Sequence, residues 1–568
     1  MHYWILLVIA YGVPGILVAQ EQEAGNFFGG IQLNTDFYIR DSFIGAAGTP
    51  HYDNLKSSTD SWLNLNYVNH RYQLDAGFRL DIHNNSNLHH PGVPYSKIGI
   101  GNFYVRKRMK YLQITGGYFY DQFGSGIVFR AYEDRSLGID NAILGIHLVT
   151  EPLKQMKLKA FTGVQKNRLA LFKPIVTGIN TELNFQLSSK VSIMPGFSVL
   201  NRVLDEASMQ FIVSTLETYD PASRFIPRYN VYVCGGYLTL NAGNFTWYAE
   251  GAGKTREAIY LGDSLVNRSG HVLYSTLEFS VPRFGFALQF KQVKNFPLRT
   301  SPKETLLEGV LNFIPPITRQ NALRLPARYN AVVQELSEAG YSVDLHYTPA
   351  KGFILNLSYA ETSNEAVLAE QDNAIAALSV RGKKRWGIAR NPLFREVFAE
   401  LNVKKKKNWQ SNLGFQFVQY HQEAYEGEKY GEYTRVYAYT PFADFNYRIS
   451  RKHALKAELQ IQITNTYQDP ASGAEYHTDY GNWLYGLLEY SFAPWFSVAL
   501  SDMYNFKPNP NRLNKDIHYY NVFASFTYQS HVLTLAYVRQ VAGIVCTGGV
   551  CRYEPAFNGI RLTFNSTF

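Results

Sequence analysis

The sequence is short of cysteine, of methionine, of charge and, after its first 19 residues, of long apolar runs. Three cysteines in 568 residues exclude a disulfide-held scaffold. A bundle of membrane helices needs several runs of about 20 apolar residues, and their absence beyond residue 19 excludes one. Charged residues make up only 18%, and the mean hydropathy is -0.21. No linker, low-complexity stretch or shift of composition divides the chain, so a single large unit fits better than a string of domains. Catalytic signatures are missing too. There is no GxSxG elbow, no HExxH and no paired CxxC, and the 14 histidines are scattered. Ser125, between Gly124 and Gly126, has no spaced His and acid to activate it and reads as part of a tight turn. No catalytic residue, cofactor or metal site is assigned; His89, His90 and His518 are placed on outer loops.

What the chain does have is aromatic residues, 15% of the total, with 41 Tyr and 37 Phe against 6 Met. Tyrosine in such excess suits membrane interfaces, where one end of a side chain is apolar and the other wet. The apolar residues alternate. From Ala454 to Asn465, Leu455, Ala457, Leu459, Ile461 and Ile463 interleave with Lys456, Glu458, Gln460, Gln462 and Thr464, a period of two that puts one greasy and one polar face on a strand. Similar faces occur at Ile31 to Arg40, Leu112 to Tyr120 and Met156 to Gln165.

Short polar turns separate these strands at Asn69 to Arg71, Lys107 to Lys110, Ser188 to Lys190, Asn241 to Asn244, Pro282 to Arg283, Thr348 to Lys351, Ser450 to Lys452, Phe492 to Pro494 and Gln529 to His531. Longer connections come between them, at Asp41 to Asp60, Asn84 to Lys97, Leu204 to Tyr229, Lys254 to Gly270 and Thr466 to Asp479. Alternation of short and long predicts an all-β fold, a single transmembrane antiparallel up-and-down β-barrel of about 24 strands, range 20 to 26. A soluble sandwich has similar strands, but this many hairpins would need several sandwiches with visible boundaries.

Residues 1–19, MHYWILLVIAYGVPGILVA, read as a signal peptide, with Pro14 inside the apolar run arguing against an anchor helix. Residues 20–27 follow as a short periplasmic N-terminus, and the barrel is expected over 28–568. The net charge of +9 finds its counter-charge in lipopolysaccharide phosphates, since an exported barrel meets no nucleic acid. Lys404 to Lys407 falls at an expected short turn near lipid headgroups.

A barrel this wide needs filling, and with the first strand starting near Phe28 no N-terminal plug is available. Three loops are candidates: Asp121 to Asp140, Asn295 to Gly340 and Thr362 to Asn391. Helical spacing suggests short helices in the last two, one over Arg328 to Ala339 (Val332, Leu336, Ala339) and one in NEAVLAEQDNAIAALS (Val367, Leu368, Ile375, Leu378). The first loop holds the densest charge, Arg130, Glu133, Asp134, Arg135 and Asp140, and with Asp121 these form a candidate lumen constriction. The other reading is that they pair with wall residues such as Lys157 and Lys159 to hold the filling.

The last strand, GIRLTFNSTF, alternates Ile560, Leu562 and Phe564 with Arg561, Thr563 and Asn565 and ends on Phe568. It resembles the closing strand of Gram-negative outer-membrane barrels, which implies that the barrel-assembly machinery recognises Ile560, Leu562, Phe564 and Phe568. Tyr120 to Gly145, YDQFGSGIVFRAYEDRSLGIDNAILG, and Gly543 to Ala556, GIVCTGGVCRYEPA, with FIPPITRQ at Phe313 to Gln320, resemble an uncharacterised family of large exported barrel proteins of Gram-negative bacteria. The resemblance implies an outer-membrane location and an architecture, not an activity. The expected function is a porin-like or loop-plugged channel for an unidentified solute; the alternative is a non-conducting scaffold or a component of a surface export or assembly complex. Expected partners are the bilayer, lipopolysaccharide, the assembly machinery and other outer-membrane proteins.

Cys234 lies in an expected strand and serves as a small hydrophobe. Cys546 and Cys551 flank TGGV in an outer hairpin, where Gly548 and Gly549 let the chain reverse and the thiols oxidise to each other. The intact mass of protein purified without reductant should fall two hydrogen atoms short of the fully reduced value. The closed loop is short, so the bond contributes only roughly 2 kcal/mol and its removal leaves the barrel folded. Free thiols at both positions would refute it.

Overall fold

The computed structural model describes residues 25–90, 92–305, 307–364, 392–406, 408–427, 435–469, 472–511, 516–547 and 550–568. The expected signal peptide, residues 20–24 of the short N-terminal segment and residues 365–391 of the third filling loop lie outside them.

Twenty-five strand segments form one sheet in which neighbours in sequence are neighbours in space, and the remaining described strands pair off as two-stranded ribbons in loops. Phe185–Ser188 continues Ala170–Leu183 past Asn184 on the same partner, so the sheet has 24 staves. It closes. Asn26–Tyr38 pairs antiparallel with Phe557–Thr567, from Gly30 opposite Thr567 to Tyr38 opposite Gly559. Beyond the ladder, Gly29 and Phe568 exchange both backbone hydrogen bonds, at 2.8 and 3.0 Å. Closure pairs every edge, which a sheet in lipid requires.

The side chains are inverted relative to a soluble protein. Leu459 and Ile463 are exposed, as are Ile98, Ile146, Phe197, Leu488, Leu500 and Leu535, while Glu458, Gln460, Gln462 and Thr464 are buried. Exposed apolar area on this scale belongs against hydrocarbon. In the closing strand Ile560 faces out, and Arg561 faces in to meet Asp36 at 2.9 Å.

Short turns gather at one rim, including all nine expected ones and a further turn at 154–155, between Ile143–Leu153 and Met156–Asn167. At the opposite rim the connections are mostly long, with two corrections. Lys254 to Gly270 is not a loop: Phe245–Leu261 and Ser264–Val281 continue through it, 17 and 18 residues long, and reverse at 262–263 with Gly262 at φ +58°. Gly-Asp at a hairpin tip is a turn signal of its own. The connection at 168–169 is also only two residues, with Arg168 at φ +58°.

A third correction concerns the expected helix over Arg328 to Ala339. The chain there is irregular to residue 336, and Ser337–Tyr347 is a stave paired on both sides. Three apolar residues at helical spacing lose to two full ladders of backbone hydrogen bonds, reinforced by a buried Lys291–Glu338 pair at 2.7 Å. The α-helices among the described residues, Glu206–Glu217 and Gln422–Glu426, lie in other long loops. The first packs Met209, Ile212 and Leu216 against Ala258 and Leu265 of the long hairpin.

The closing register generates a test. In a background free of native cysteines, Gln32→Cys with Asn565→Cys should cross-link across the seam and abolish the slower, heat-denatured gel band. Preferential cross-linking of Gln32→Cys to Phe564→Cys would mean a register slipped by one residue.

Candidate functional site in the barrel lumen

Two loops from the long-loop rim, 120–142 and 295–336, fold inward and meet. The first makes two small ribbons, Asp121–Phe123 with Phe129–Ala131 and Glu133–Asp134 with Ile139–Asp140. Gly124 and Gly126, at φ +52° and +104°, turn the chain at its tip. The tip drives Phe123, Ile127, Val128 and Phe129, all fully buried, against the inward side chains Phe161, Val176, Leu200, Val231, Val233, Val272 and Val293. Leu298, Leu311 and Ile314 of the second loop complete this core. The loops also share backbone hydrogen bonds, Arg130 N to Leu311 O and Phe313 N to Gly126 O, each 2.9 Å.

From there the second loop crosses the lumen. Its carbonyls and amides find wall side chains: Lys291 donates to Pro315 O, Gln416 to Pro326 O and Gln462 to Leu325 O, while Leu325 N donates to Gln460 Oε1 at 2.7 Å. At the far side Arg328 meets Asp479 at 2.9 Å and Glu426 at 3.3 Å, and Tyr329 donates its hydroxyl to Asp479. An irregular segment inside a barrel has no ladder of its own, so inward-facing amides supply the partners its backbone needs.

The predicted constriction residues divide into two groups. Asp121 is fastened to the wall by His147 at 3.0 Å and Lys159 at 2.9 Å. Glu133 and Asp140 both bind the buried Arg79, each at 2.6 Å, and Arg79 also meets Asp81 at 2.6 Å. Lys166 adds a 2.5 Å bond to Asp140. Arg135 reaches Glu133 at 2.8 Å and Gln32 at 2.9 Å, over the Trp62 ring. Asp134 caps its own turn through Ser136 and Leu137. Arg130 stands apart. Its guanidinium lies between the rings of Tyr132 and Phe313, 4.3 and 4.1 Å from their centroids, with no carboxylate in ion-pair reach among the described residues. Of the two wall lysines considered beforehand, Lys159 takes part and Lys157 forms no ion pair among the described residues.

The ligands on the wall side went unassigned from sequence. Arg79 and Asp81 sit at polar positions of FRLDIH, where period-two alternation places them inward and beside each other, but their other ion partners lie 54 and more residues away. Glu250 was also missed. It accepts the backbone N–H of Ser125 at 2.9 Å and the Tyr248 hydroxyl at 2.6 Å, and so holds the loop tip.

No set of three or more His, Cys, Asp or Glu residues among those described could hold a metal ion. Burial first, then Arg168, pushes His89 in its outer loop down to about 4, and its ring packs on His83 and Tyr95. The backbone of the hairpin Gly543–Thr547 and Val550–Glu554 sets Cys546 opposite Cys551.

The whole sequence, residues 1–568, matches DUF6029, a family of unknown function, and the chain belongs to that family. No curated protein matches it in sequence. Among solved structures it is similar to the P pilus usher PapC translocation pore, at 9% identity and TM-score 0.41 over 96% of this chain and 99% of that one. It is similar also to the copper transporter OprC, at 10% identity and TM-score 0.41 over 97% and 81%. Pseudomonas aeruginosa OpdK with vanillate shows 12% identity and TM-score 0.35 over 78% and 99%. The barrel assignment rests on the closed strand ladder itself.

The geometry predicts a specific weakness. Asp140→Ala strips Arg79 and Lys166 of a shared partner, and unpairing buried charge costs about 3 kcal/mol. Hydrogen exchange over 121–140 should accelerate while the staves keep their protection. Unchanged exchange in the loop would mean that the ion cluster does not hold it.

Proposed function

We propose that this protein is an outer-membrane channel narrowed by two of its own loops, passing a small solute that reaches it from the cell surface. The observation that carries this reading is the inward fold of 120–142 and 295–336 across a closed barrel of 24 staves. A barrel of this circumference without filling would leak bulky molecules, and one with filling passes only what the remaining gap admits. Export by a signal peptide, insertion by the assembly machinery through Ile560, Leu562, Phe564 and Phe568, and contact of basic loops with lipopolysaccharide belong to the same reading. Asp121, Arg130, Glu133, Asp134, Arg135 and Asp140 then border the gap, most as fasteners and Arg130 as the free charge.

A second reading, a non-conducting scaffold, draws on the same fasteners. Asp121, Glu133 and Asp140 each meet a cation of the wall, as a plug that never moves would need. Single-channel recording separates the two. Wild-type protein should give small steps, and deletion of residues 122–137 should give large ones and admit bulky antibiotics. Unchanged conductance and unchanged antibiotic entry after the deletion would show that this loop is not the barrier.

A further inference from the structure

The arginines of the two filling loops fall into two sorts. Arg135, Arg299 and Arg328 each have a carboxylate within 4 Å: Glu133 at 2.8 Å, Glu335 at 3.7 Å and Asp479 at 2.9 Å. Arg130, Arg319 and Arg324 have none among the described residues. Arg130 is held between Tyr132 and Phe313. Arg319 lies 3.9 Å over the Phe398 ring and donates to Asn321 Oδ1 at 3.2 Å. Arg324 is exposed, on a stretch where Gln320 and Ala322 are exposed as well, while its neighbour Leu325 is buried against the wall.

We infer that Arg130, Arg319 and Arg324 form a line of guanidiniums along the second loop that receives small oxyanions, carboxylates or phosphates, and gives the channel its solute preference. The inference rests on the channel reading and names its solute class.

Position supports it. Arg130 touches the second loop at Phe313; Arg319 and Arg324 follow on the same segment, six and eleven residues on. The run between, IPPIT, is irregular chain whose two prolines disfavour a helical turn that would stack the charges on one face. A guanidinium lying on an aromatic face keeps its edge free, and that edge carries the paired N–H groups that bind an oxyanion two at a time. Folding does not use these charges for pairing.

The nearby carboxylates are engaged in part or in full. Glu396 accepts from Asn321 and Gln416 on Oε1 alone, its Oε2 having no hydrogen-bond partner among the described residues, and Glu554 accepts from Arg552 and Gln540. Further toward the short-turn rim the wall is acidic, and amides hold two of its carboxylates: Glu400 by Asn356 and Asn402, Asp444 by Asn412 and Asn446, while Glu458 pairs with Lys456. Those groups lie past the level at which the loops cross, and selectivity is set where the passage is narrowest.

The test is the reversal potential of full-length protein in planar bilayers under a potassium chloride gradient, for wild type and for the triple variant Arg130→Gln, Arg319→Gln, Arg324→Gln. Wild type should prefer anions, and the variant should lose about fivefold or more of that preference, the scale of one unit charge removed nearby in water. Millimolar acetate or inorganic phosphate should each reduce the wild-type current, the stronger blocker identifying the preferred oxyanion, and neither should affect the triple variant. Lys154→Gln, which removes an exposed charge from the short-turn rim, should leave the preference in place. A conducting channel whose selectivity ignores the triple variant overturns the inference alone. Protein that inserts, as shown by heat-modifiable migration, yet passes no current overturns the channel reading and this inference with it.

Discussion

Every backbone N–H and C=O in a membrane must find a partner within the protein, and this one requirement governs the whole molecule. It forces the sheet to close, so Asn26–Tyr38 must meet Phe557–Thr567 across more than 500 residues of sequence. Closing so many staves fixes a wide circumference, and the width in turn calls for a filling. The filling is irregular chain, which brings unpaired backbone groups back into the interior. The inward faces answer with side-chain amides and ammonium groups: Gln165 to Val310 O, Lys291 to Pro315 O, Gln416 to Pro326 O and Gln462 to Leu325 O. The polar half of the strand alternation therefore serves a structural purpose besides contact with water.

The polar half is interrupted where the filling docks. On Asn230–Ala242 the inward Val231 and Val233 are as apolar as the outward Tyr232, and Leu200, Val272 and Val293 continue the patch on neighbouring staves. Strands apolar on both faces are strands buried on both faces. Here the inner cover is Phe123, Ile127, Val128 and Phe129, and fully burying each such side chain stabilises the docked loop by about 1.5–3 kcal/mol. The charges around this core contribute differently. Arg79, Lys166, Asp81 and Asp140 could be replaced by apolar residues at little loss in stability, but once present each needs all the others, which fixes the loop in one position. Gly101 shows how closely the cluster is fitted, because a Cβ there would come within 2.0 Å of the Asp81 carboxylate.

Much of this was legible beforehand because strand alternation is a local property. The faces of Ala454 to Asn465, nine short turns and the inward fold of the DQFGSGIVF loop follow from period, turn chemistry and barrel width. The failures share a cause. The supposed helix at Arg328 to Ala339 rested on three apolar positions, and Lys254 to Gly270 was taken as loop because its charged residues hid the Gly262-Asp263 reversal. In both, ladder pairing overrode a weak local pattern: Ser337–Tyr347 pairs with Phe284–Lys294 and Phe353–Ser363, and Phe245–Leu261 pairs with Ser264–Val281 up to the reversal. The ion partners were not legible at all. Nothing in the sequence ties Arg79 to Glu133 and Asp140 rather than to any other lumen carboxylate, since register and loop path decide it.

The two parts of the filling are held by unlike forces, and this bears on how a passage would open. Loop 120–142 is fastened by buried ion pairs and an apolar core, and dislodging it means separating charges that have no water to receive them. The stretch 315–327 is held by neutral hydrogen bonds to Gln416, Gln460 and Gln462, each contributing about 1 kcal/mol net, and by single charge-assisted ones to Lys291 and Glu396, without a buried ion pair of its own among the described residues. It yields more easily. Its ends are anchored, at Phe313 by the first loop and at Arg328 and Tyr329 by Asp479, so it flexes as a strap rather than leaving as a plug. A passage opened there would run beside Arg319 and Arg324 on the strap and past Arg130 on the fastened loop, so the proposed line of charges would span both parts of the filling.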